Sequence, residues 1–161
     1  MKSFNPETDL KFERIVDLTP SQMFAGWTTP SLLTKWFTPA PWKTIDAKID
    51  LRPGGKFYTL MQSPEGQSFP NTGCYLEVEK DHKIVWTSAL TSDFRPTLDE
   101  SPTSFPITVH VIFEKDAKGT KYTAYALHKN AEDKKKHEEM GFEVGWGLAL
   151  DQLVKLMKEV Q

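Results

Sequence analysis

The sequence has little of what secreted and membrane proteins require. Its 161 residues include one cysteine, Cys74, so no internal disulfide can form. The first ten residues, MKSFNPETDL, contain no apolar run and do not predict a secretory signal. A mean hydropathy of -0.48 excludes a chain made mainly of membrane-spanning helices. These absences together predict a cytoplasmic location.

An excess of charge of one sign is also absent. The chain carries 20 Lys and Arg residues against 22 Asp and Glu residues, which gives a net charge of -2. The basic run KKK at residues 134–136 is followed closely by Glu138 and Glu139, a pattern typical of a solvated helix face. Nucleic acids and anionic membranes bind to clustered cations. The sequence therefore predicts neither a nucleic acid nor a membrane as partner.

Motifs that bind cofactors or metals are missing as well. The sequence has no zinc-ligand spacing, no nucleophile elbow and no dinucleotide-binding loop. Its one glycine pair, in the segment RPGG at residues 52–55, lies between two strand-like segments. A phosphate-binding loop would lead into a helix instead. The pair therefore predicts a hairpin turn, and no cofactor or metal is expected.

No repeat or linker divides the chain, so residues 1–161 are expected to form one domain. Thr19-Pro20 and Pro30 have the residue types that start helices, and they predict two short helices after the first strand. The C-terminal residues have the periodicity of a long helix. Alternating apolar residues predict strands at residues 10–16, 44–51, 56–61, 73–79, 83–88, 107–114 and 119–127. This order predicts an α+β fold in which the terminal helix covers an antiparallel sheet.

Several segments of the chain resemble a known family. They are FERIV, LLTKWF, IDLRPGGKF, GCYLEVEKDHKIVWT, GTKYT and HEEMGFEVGWGLALDQL. They are similar to the heat-shock-protein-90 ATPase activator homologue-like family of the START-like superfamily, also called birch-pollen-allergen-like or polyketide-cyclase-like. The resemblance covers nearly the whole chain and implies a helix-grip fold, in which a curved antiparallel sheet wraps the C-terminal helix and can leave a cavity. The superfamily includes lipid carriers, receptors, cyclases and co-chaperones, so the resemblance implies no single activity.

Two expected strand pairings assign side chains to the inner face of the sheet. If Leu51 lies opposite Gly55, the inward residues of those strands are Ile45, Ala47, Ile49, Phe57, Thr59 and Met61. If Lys115 pairs with Thr120, the facing inward pairs are Phe113 with Tyr122, Val111 with Ala124 and Val109 with Ala126.

Small residues on the inner face predict a cavity beneath the terminal helix. Alanines on the sheet and the glycines of the helix leave space that larger side chains would fill, although close packing of helix on sheet is the alternative. The cavity is expected to hold a small apolar or aromatic molecule. The residues expected to line it are Trp36, Phe37, Phe57, Met61, Phe94, Val111, Phe113, Ala124, His128 and Trp146.

The same alternation places five aromatic or imidazole side chains on the outer face of the sheet. They are Tyr58, Tyr75, Trp86, His110 and Tyr125. An exposed aromatic band of this kind predicts a protein partner or a homodimer. The alternative is that the register fails around Trp86 and some of these residues line the cavity instead.

Three functions remain open from the sequence. The first is the binding of an apolar or aromatic ligand. The second is a cofactor-independent cyclase or hydrolase that uses the same cavity, for which His128 is the one candidate base. The third is a chaperone-interacting or stress-response module, although the chain resembles only the START-like part of the eukaryotic activator. Residues 89–106, with three prolines and no period, are expected to form a lid or to be disordered.

Overall fold

A computed structural model describes residues 3–98 and 104–160. Its strands are β1 (Asp9–Val16), β2 (Lys43–Ile49), β3 (Lys56–Gln62), β4 (Ser68–Glu79), β5 (Lys83–Thr87), β6 (Leu90–Thr91), β7 (Arg95–Pro96), β8 (Thr108–Asp116) and β9 (Gly119–Leu127). Seven of them form one curved antiparallel sheet in the order β1-β9-β8-β5-β4-β3-β2, and β6 pairs with β7. Every predicted strand is present.

The helices are α1 (Pro20–Thr28), α2 (Pro30–Trp36), α3 (Ala131–Glu139) and α4 (Phe142–Glu159). The start of α1 follows the predicted cap. The backbone N–H of Gln22 donates to the Thr19 hydroxyl at 3.1 Å, and the Gln22 side chain accepts from the Thr19 N–H at 2.8 Å. The predicted terminal helical segment is divided, because the chain turns at Gly141 (φ 90°) between α3 and α4.

The Pro-Gly-Gly segment is a hairpin turn between β2 and β3, as predicted. Gly54 has a φ of 82°, which favours glycine, and its N–H donates to the carbonyl of Tyr75 at 2.7 Å. A Cβ on Gly55 would lie 1.9 Å from the carbonyl oxygen of Asp50. The turn therefore packs backbone against backbone, and no helix follows it.

The predicted register of the β8–β9 hairpin is confirmed. Phe113 pairs with Tyr122, Val111 with Ala124 and Lys115 with Thr120. The inward side chains of both strands are buried. The alternation of β8 and β9 thus predicted both the pairing and the buried face.

The predicted inward position of Ile45 is wrong. The pairing of β2 with β3 shifts between Thr44 and Asp46, so Thr44 is buried and Ile45 is 45% exposed. Beyond this bulge, Ala47 pairs with Thr59 and Ile49 with Phe57, as expected. An extra residue in one strand reverses the face of every residue on its far side.

Tyr75 and Trp86 lie on the inner face of the sheet, not in the predicted outer band. The pairing of β4 with β5 shifts between Tyr75 and Glu77, which turns Tyr75 inward while Glu77 stays outside. In β5, Ile84, Val85 and Trp86 are all buried, so alternation could not indicate which face is inner. Trp86 pairs with Tyr75 on one side and with inward Val109 on the other.

The segment from residue 89 to residue 106 begins with the small β6–β7 hairpin. Its tip holds two residues with positive φ, Asp93 (63°) and Phe94 (61°). The N–H of Asp93 donates to the carbonyl of Gly54 at 2.8 Å, so the tip rests on the β2–β3 turn. Residues 99–103 lie outside the described residues, and the predicted lid at 89–106 falls partly on them.

Helix α4 lies over the inner face, and its C-terminal half is packed there. Leu150, Leu153 and Met157 are buried. Helix α1 approaches this half closely, since a Cβ on Gly26 would lie 2.5 Å from the Leu153 side chain. The arrangement of one curved sheet around this helix is the helix grip that the resemblance implies.

Candidate functional site

An aromatic cluster lies between the sheet and α4, with Trp27 of α1 at its centre. The Trp27 ring centroid is 4.9 Å from that of Trp36, 5.3 Å from Trp86 and 6.0 Å from Trp146. The indole N–H of Trp36 donates to the carbonyl of Gly26 at 2.9 Å. Aromatic pairs at these separations attract each other beyond the effect of burial alone. The cluster therefore forms a well-packed apolar surface.

Phe57 and Tyr75 extend the cluster across the sheet. Their rings stack with centroids 5.2 Å apart and an interplanar angle of 15°. Phe57 also contacts Trp86 at 5.1 Å and Phe37 at 5.8 Å. The Tyr75 side chain is 0% exposed, and its hydroxyl has no hydrogen-bond partner. A polar group in this position is unusual, because buried polar groups are nearly always paired.

Burial fixes the protonation state of the tyrosines in and beside the cluster. It raises the pKa of Tyr75 well above its ordinary value. Burial also raises the pKa of Tyr122, an effect that the Trp27 side chain opposes. Both phenols are therefore protonated near neutral pH and can donate a proton in a hydrogen bond.

The inner face of the sheet is open to solvent at the end where β3 and β4 extend beyond β5. Three paired or neighbouring inner-face residues show this. Met61 is half-buried, its partner Phe69 is 37% exposed, and Asn71, which pairs with buried Thr59, is exposed. In the middle of the sheet, inner-face Phe57, Val111 and Ala124 are buried. This end of the sheet is therefore more open to solvent than its middle.

One flank of α4 carries Gly145 and Gln152. Gly145 and Gln152 are seven residues apart, which places them on the same side of the helix. The Gln152 amide donates to the carbonyls of Trp36 and Thr38 at 2.9 and 3.0 Å, so this flank faces the segment before β2. A Cβ on Gly145 would meet no atom within 4 Å. Space therefore remains beside the first half of α4.

The opposite flank of α4 is closed by β1. Arg14 forms an ion pair with Glu143 at 2.8 Å, and a Cβ on Gly147 would lie 3.9 Å from the Phe12 ring. We call the space on the Gly145 side the open cleft. It is defined by Met61, Phe69, Asn71 and Gly145, and the half-buried rings of Phe37 and Trp146 are the part of the aromatic cluster nearest to solvent.

The rim of the open cleft is also aromatic. Trp42 packs on Phe69 with ring centroids 5.5 Å apart. A neighbouring surface depression of about 260 Å³ is lined by Trp42, Thr44 and Gln152 among others. A second depression, of about 550 Å³, lies away from the cleft near Asp17 and Lys158. Trp42 and Phe69 thus form an aromatic pair at the surface beside this end of the sheet.

The predicted lining residues other than His128 fall into four places. Trp36, Phe37, Phe57 and Trp146 belong to the aromatic cluster, and Met61 lies in the open cleft. Phe113 packs deeper, against Phe24 and Tyr122 at 6.2 and 6.0 Å, in the same layer as buried Val111 and Ala124. Phe94 is 50% exposed and packs on Gly54, outside the cluster.

His128 lies at the end of β9, away from the open cleft. One ring nitrogen, Nδ1, donates to the carbonyl of Thr8 at 2.8 Å, and Nε2 is 2.8 Å from Nδ1 of His137 on α3. Phe105 packs on both rings, at 5.8 Å from His128 and 5.4 Å from His137. Both nitrogens of His128 are therefore engaged within the protein.

The prediction omitted three residues of the cluster, Trp27, Tyr75 and Trp86. Trp27 lies on a short helix whose apolar positions gave no indication of which element they would meet. The alternating pattern predicts an outer position for Tyr75 and Trp86, because it reveals neither the bulge in β4 nor the burial of both faces of β5. A count of tryptophans would have drawn attention to Trp27 and Trp86, since the chain has 5.

Metal and membrane sites can be tested on the described residues. Within residues 3–98 and 104–160, no group of three or more His, Cys, Asp or Glu side chains is placed to hold a metal ion. No helix in the same ranges has the length and apolar character of a membrane span.

Comparison with known proteins identifies the family. A family model described as "Activator of Hsp90 ATPase homolog 1-like protein" matches residues 17–158. The chain belongs to this family. Protein NE0264 from Nitrosomonas europaea is 44% identical over 97% of each chain, with a TM-score of 0.91. The comparison with curated proteins gives no match.

More distant members of the same fold support the architecture. A Rhodobacter sphaeroides protein is 19% identical with a TM-score of 0.83, over 98% of this chain and 97% of its own. A Staphylococcus epidermidis protein is 21% identical with a TM-score of 0.76, over 100% of this chain and 96% of its own. At these identities the likeness shows the fold alone. The activator-homologue family thus gives this chain a START-like helix-grip fold.

Proposed function

We propose that this activator-homologue protein binds a small apolar or aromatic molecule in the open cleft, with residues 1–161 acting as one START-like domain. The observation that carries the proposal is the exposed inner face at Met61, Phe69 and Asn71 beside the unfilled flank of α4 at Gly145. An inner face is normally covered, and aromatic side chains left there form a ready binding surface.

The chemistry of the walls favours a ligand with a flat apolar body. Trp146 and Phe37 present partly exposed rings, and Trp42 and Phe69 form a second aromatic surface at the rim. Rings bind other rings by stacking and by edge contacts, and they also bury large apolar areas. A ligand that removes about 200 Å² of its apolar surface from water gains about 5 kcal/mol before the costs of association.

A variant that fills the open flank tests the proposal. We expect Gly145→Leu to lower the affinity for phenylnaphthylamine, an uncharged dye that fluoresces in apolar surroundings, by about tenfold or more, which is about 1.4 kcal/mol. The matched control is Val144→Leu, one residue away, where the side chain is 67% exposed and faces solvent. Equal affinities of the two variants would place the dye outside the cleft and refute the proposal.

An enzyme that uses the same cleft needs a group that changes protonation near neutral pH. His128 has both ring nitrogens engaged by Thr8 and His137. Tyr75 has a raised pKa and stays protonated. These facts favour binding over cyclase or hydrolase activity, and a protein that needs no cofactor remains our expectation.

A protein partner or a homodimer through the outer sheet face has less support from the structure than from the alternating pattern of the sequence. Tyr75 and Trp86 do not belong to that face. Of the three that remain, Tyr58, His110 and Tyr125, the last is partly covered by Phe4 at 5.9 Å. A chaperone-interacting role, as the name of the family suggests, would require a different surface. The expected location stays cytoplasmic, in agreement with a single buried cysteine.

A further inference from the structure

The surface depression beside β2 carries positive charge that no acidic side chain neutralises. Two of the nine residues that line it are exposed lysines, Lys35 in the last turn of α2 and Lys43 at the start of β2. None of the nine is acidic. Neither lysine forms an ion pair within residues 3–98 and 104–160. Because the whole chain has more acidic than basic residues, this is a local reversal of charge.

The segment between the two lysines is fixed by Gln152 of α4. Its amide N–H groups donate to the carbonyls of Trp36 and Thr38 at 2.9 and 3.0 Å, and its side-chain oxygen accepts from the N–H of Ala40 at 2.9 Å. Three hydrogen bonds from one side chain therefore hold this backbone against a helix. They also occupy a carbonyl at the C-terminal end of α2, whose partial negative charge would otherwise repel an anion.

Two buried threonines supply a hydrogen-bond donor at the same place. Thr38 and Thr44 both line the depression, are 9% and 5% exposed, and bond to each other through their hydroxyl groups. That bond uses one of the two hydroxyl hydrogens. Neither hydroxyl has another partner in the part of the chain that the structure describes. The second hydrogen is therefore available to an acceptor in the depression.

The remaining side of the depression is apolar. Trp42 and Ile45 line it and are 38% and 45% exposed. The Trp42 ring is supported by Phe69, with ring centroids 5.5 Å apart, and Ile45 is turned outward by the bulge in β2. The volume of about 260 Å³ lies below the range of about 300–1,000 Å³ that is usual for drug-sized ligands. The depression therefore has room for a small molecule with one charged group and a short organic part.

We propose that this depression binds a small phosphate monoester, whose phosphate contacts Lys35 and Lys43 and whose organic part lies against Trp42. Two ammonium groups match a phosphate dianion in charge, and the threonine hydroxyl adds a third donor for its three free oxygens. A carboxylate, with a single charge, would leave the second lysine unneutralised. The site is separate from the open cleft and does not depend on the proposed function.

Three anions test the class of ligand. Phenyl phosphate has both the double charge and an organic part, benzoate has a ring with one charge, and inorganic phosphate has no organic part. Their dissociation constants come from titrations of the backbone amide NMR shifts at one fixed ionic strength and at about pH 7.5, where the monoester is a dianion. Phenyl phosphate is expected to bind at least about threefold more tightly than the other two. The largest shifts are expected within residues 35–45.

Two double variants test the role of the lysines. Lys35→Gln with Lys43→Gln is expected to weaken the binding of phenyl phosphate about fivefold or more, because two charge-assisted contacts are lost. The matched control is Lys56→Gln with Lys80→Gln, which changes two exposed lysines that do not line the depression. It removes the same charge from the protein and should leave the dissociation constant within about twofold of the wild-type value.

Each contrary result overturns a stated part of the proposal. If phenyl phosphate does not saturate the wild type, or if both double variants weaken it equally, there is no site at the depression. If benzoate binds as tightly as phenyl phosphate, the phosphate class is wrong. If inorganic phosphate binds as tightly, the organic part makes no contact and the ester is wrong. None of these results bears on the binding of phenylnaphthylamine in the open cleft, so the two proposals fail separately.

Discussion

His128 and His137 face each other nitrogen to nitrogen, with 2.8 Å between Nε2 of His128 and Nδ1 of His137. The carbonyl of Thr8 accepts from Nδ1 of His128, so in the neutral pair Nε2 of His128 must be the acceptor. His137 then donates from Nδ1. One pattern of protons therefore satisfies the whole chain of contacts, and it ties α3 to β9 and to the segment before β1.

This arrangement predicts a loss of stability in weak acid. Burial, and then the charge of His128, lowers the pKa of His137 from 6.5 to about 4. The unfolded chain takes up a proton near pH 6.5 that the folded protein does not take up until near pH 4. The unfolding free energy should therefore fall as the pH drops from 6.5 toward 4, by up to about 1.4 kcal/mol per pH unit.

His137→Asn isolates this effect, because the amide can still donate to His128 and does not titrate. Urea unfolding of both proteins at several pH values between 7 and 4 gives the comparison. The curves of stability against pH should converge or cross as the pH falls. Parallel curves would show that His137 does not contribute to acid sensitivity.

Ala124 is predicted to be a site of close packing. Its neighbours across the sheet are Val111 and Phe12, and the Phe12 ring lies 6.4 Å from that of Trp146, so the space above the alanine is occupied. Ala124→Leu should lower the unfolding free energy by about 1–3 kcal/mol. Ala117→Leu makes the same change at an exposed turn position and should be nearly neutral. A stabilised Ala124→Leu would instead reveal a void.

Two glycines should respond in opposite directions to alanine. A Cβ on Gly55 would meet the Asp50 carbonyl at 1.9 Å, so Gly55→Ala must displace the turn and should destabilise the protein by more than about 2 kcal/mol. Gly145 lies in a helix with no atom within 4 Å of the added Cβ. Gly145→Ala should stabilise it by about 0.5–1 kcal/mol. Thermal unfolding of both variants measures the direction of each change in stability. A Gly55→Ala variant as stable as the wild type would contradict the predicted clash with the Asp50 carbonyl.

Tyr75→Phe should make the protein without ligand more stable. The variant removes a buried hydroxyl that has no partner and leaves the stack on Phe57 intact. The unfolding free energy should rise by about 1 kcal/mol or more. Chemical denaturation in the absence of added ligand is the measurement, with Tyr58→Phe on the outer face as the comparison. A marked loss of stability would mean that the hydroxyl is bonded in solution.

Much of the fold follows from local pattern. The alternation in β8 and β9 gave both register and buried face, and Thr19 with Gln22 gave the start of α1. These elements are predictable because one face of each is buried and the other is solvated. The family resemblance then gave the helix grip, which local pattern alone does not specify.

The open cleft was harder to predict, for reasons that lie in the sheet. The bulges beside Ile45 and Tyr75 leave no trace in an alternating sequence, and each reverses the faces on one side of it. Trp86 belongs to a strand that is buried on both faces, so the residues next to it do not indicate which face of the sheet its side chain is on. Tyr75 is inward only because of a bulge, and its place in the aromatic cluster required the three-dimensional structure.

The long connection between β5 and β8 leaves the sheet and returns to it at the same place. Thr87 pairs with Thr108, and the N–H of Ser88 donates to the carbonyl of Ile107 at 2.9 Å. Because the two ends are joined, the length of what lies between them does not alter the strand order or register. Loops whose ends meet in this way tolerate insertion and replacement. Because the β6–β7 tip rests on Gly54, the natural place for relatives to differ in length, and for an engineer to graft a foreign peptide, is the part of this connection that follows β7.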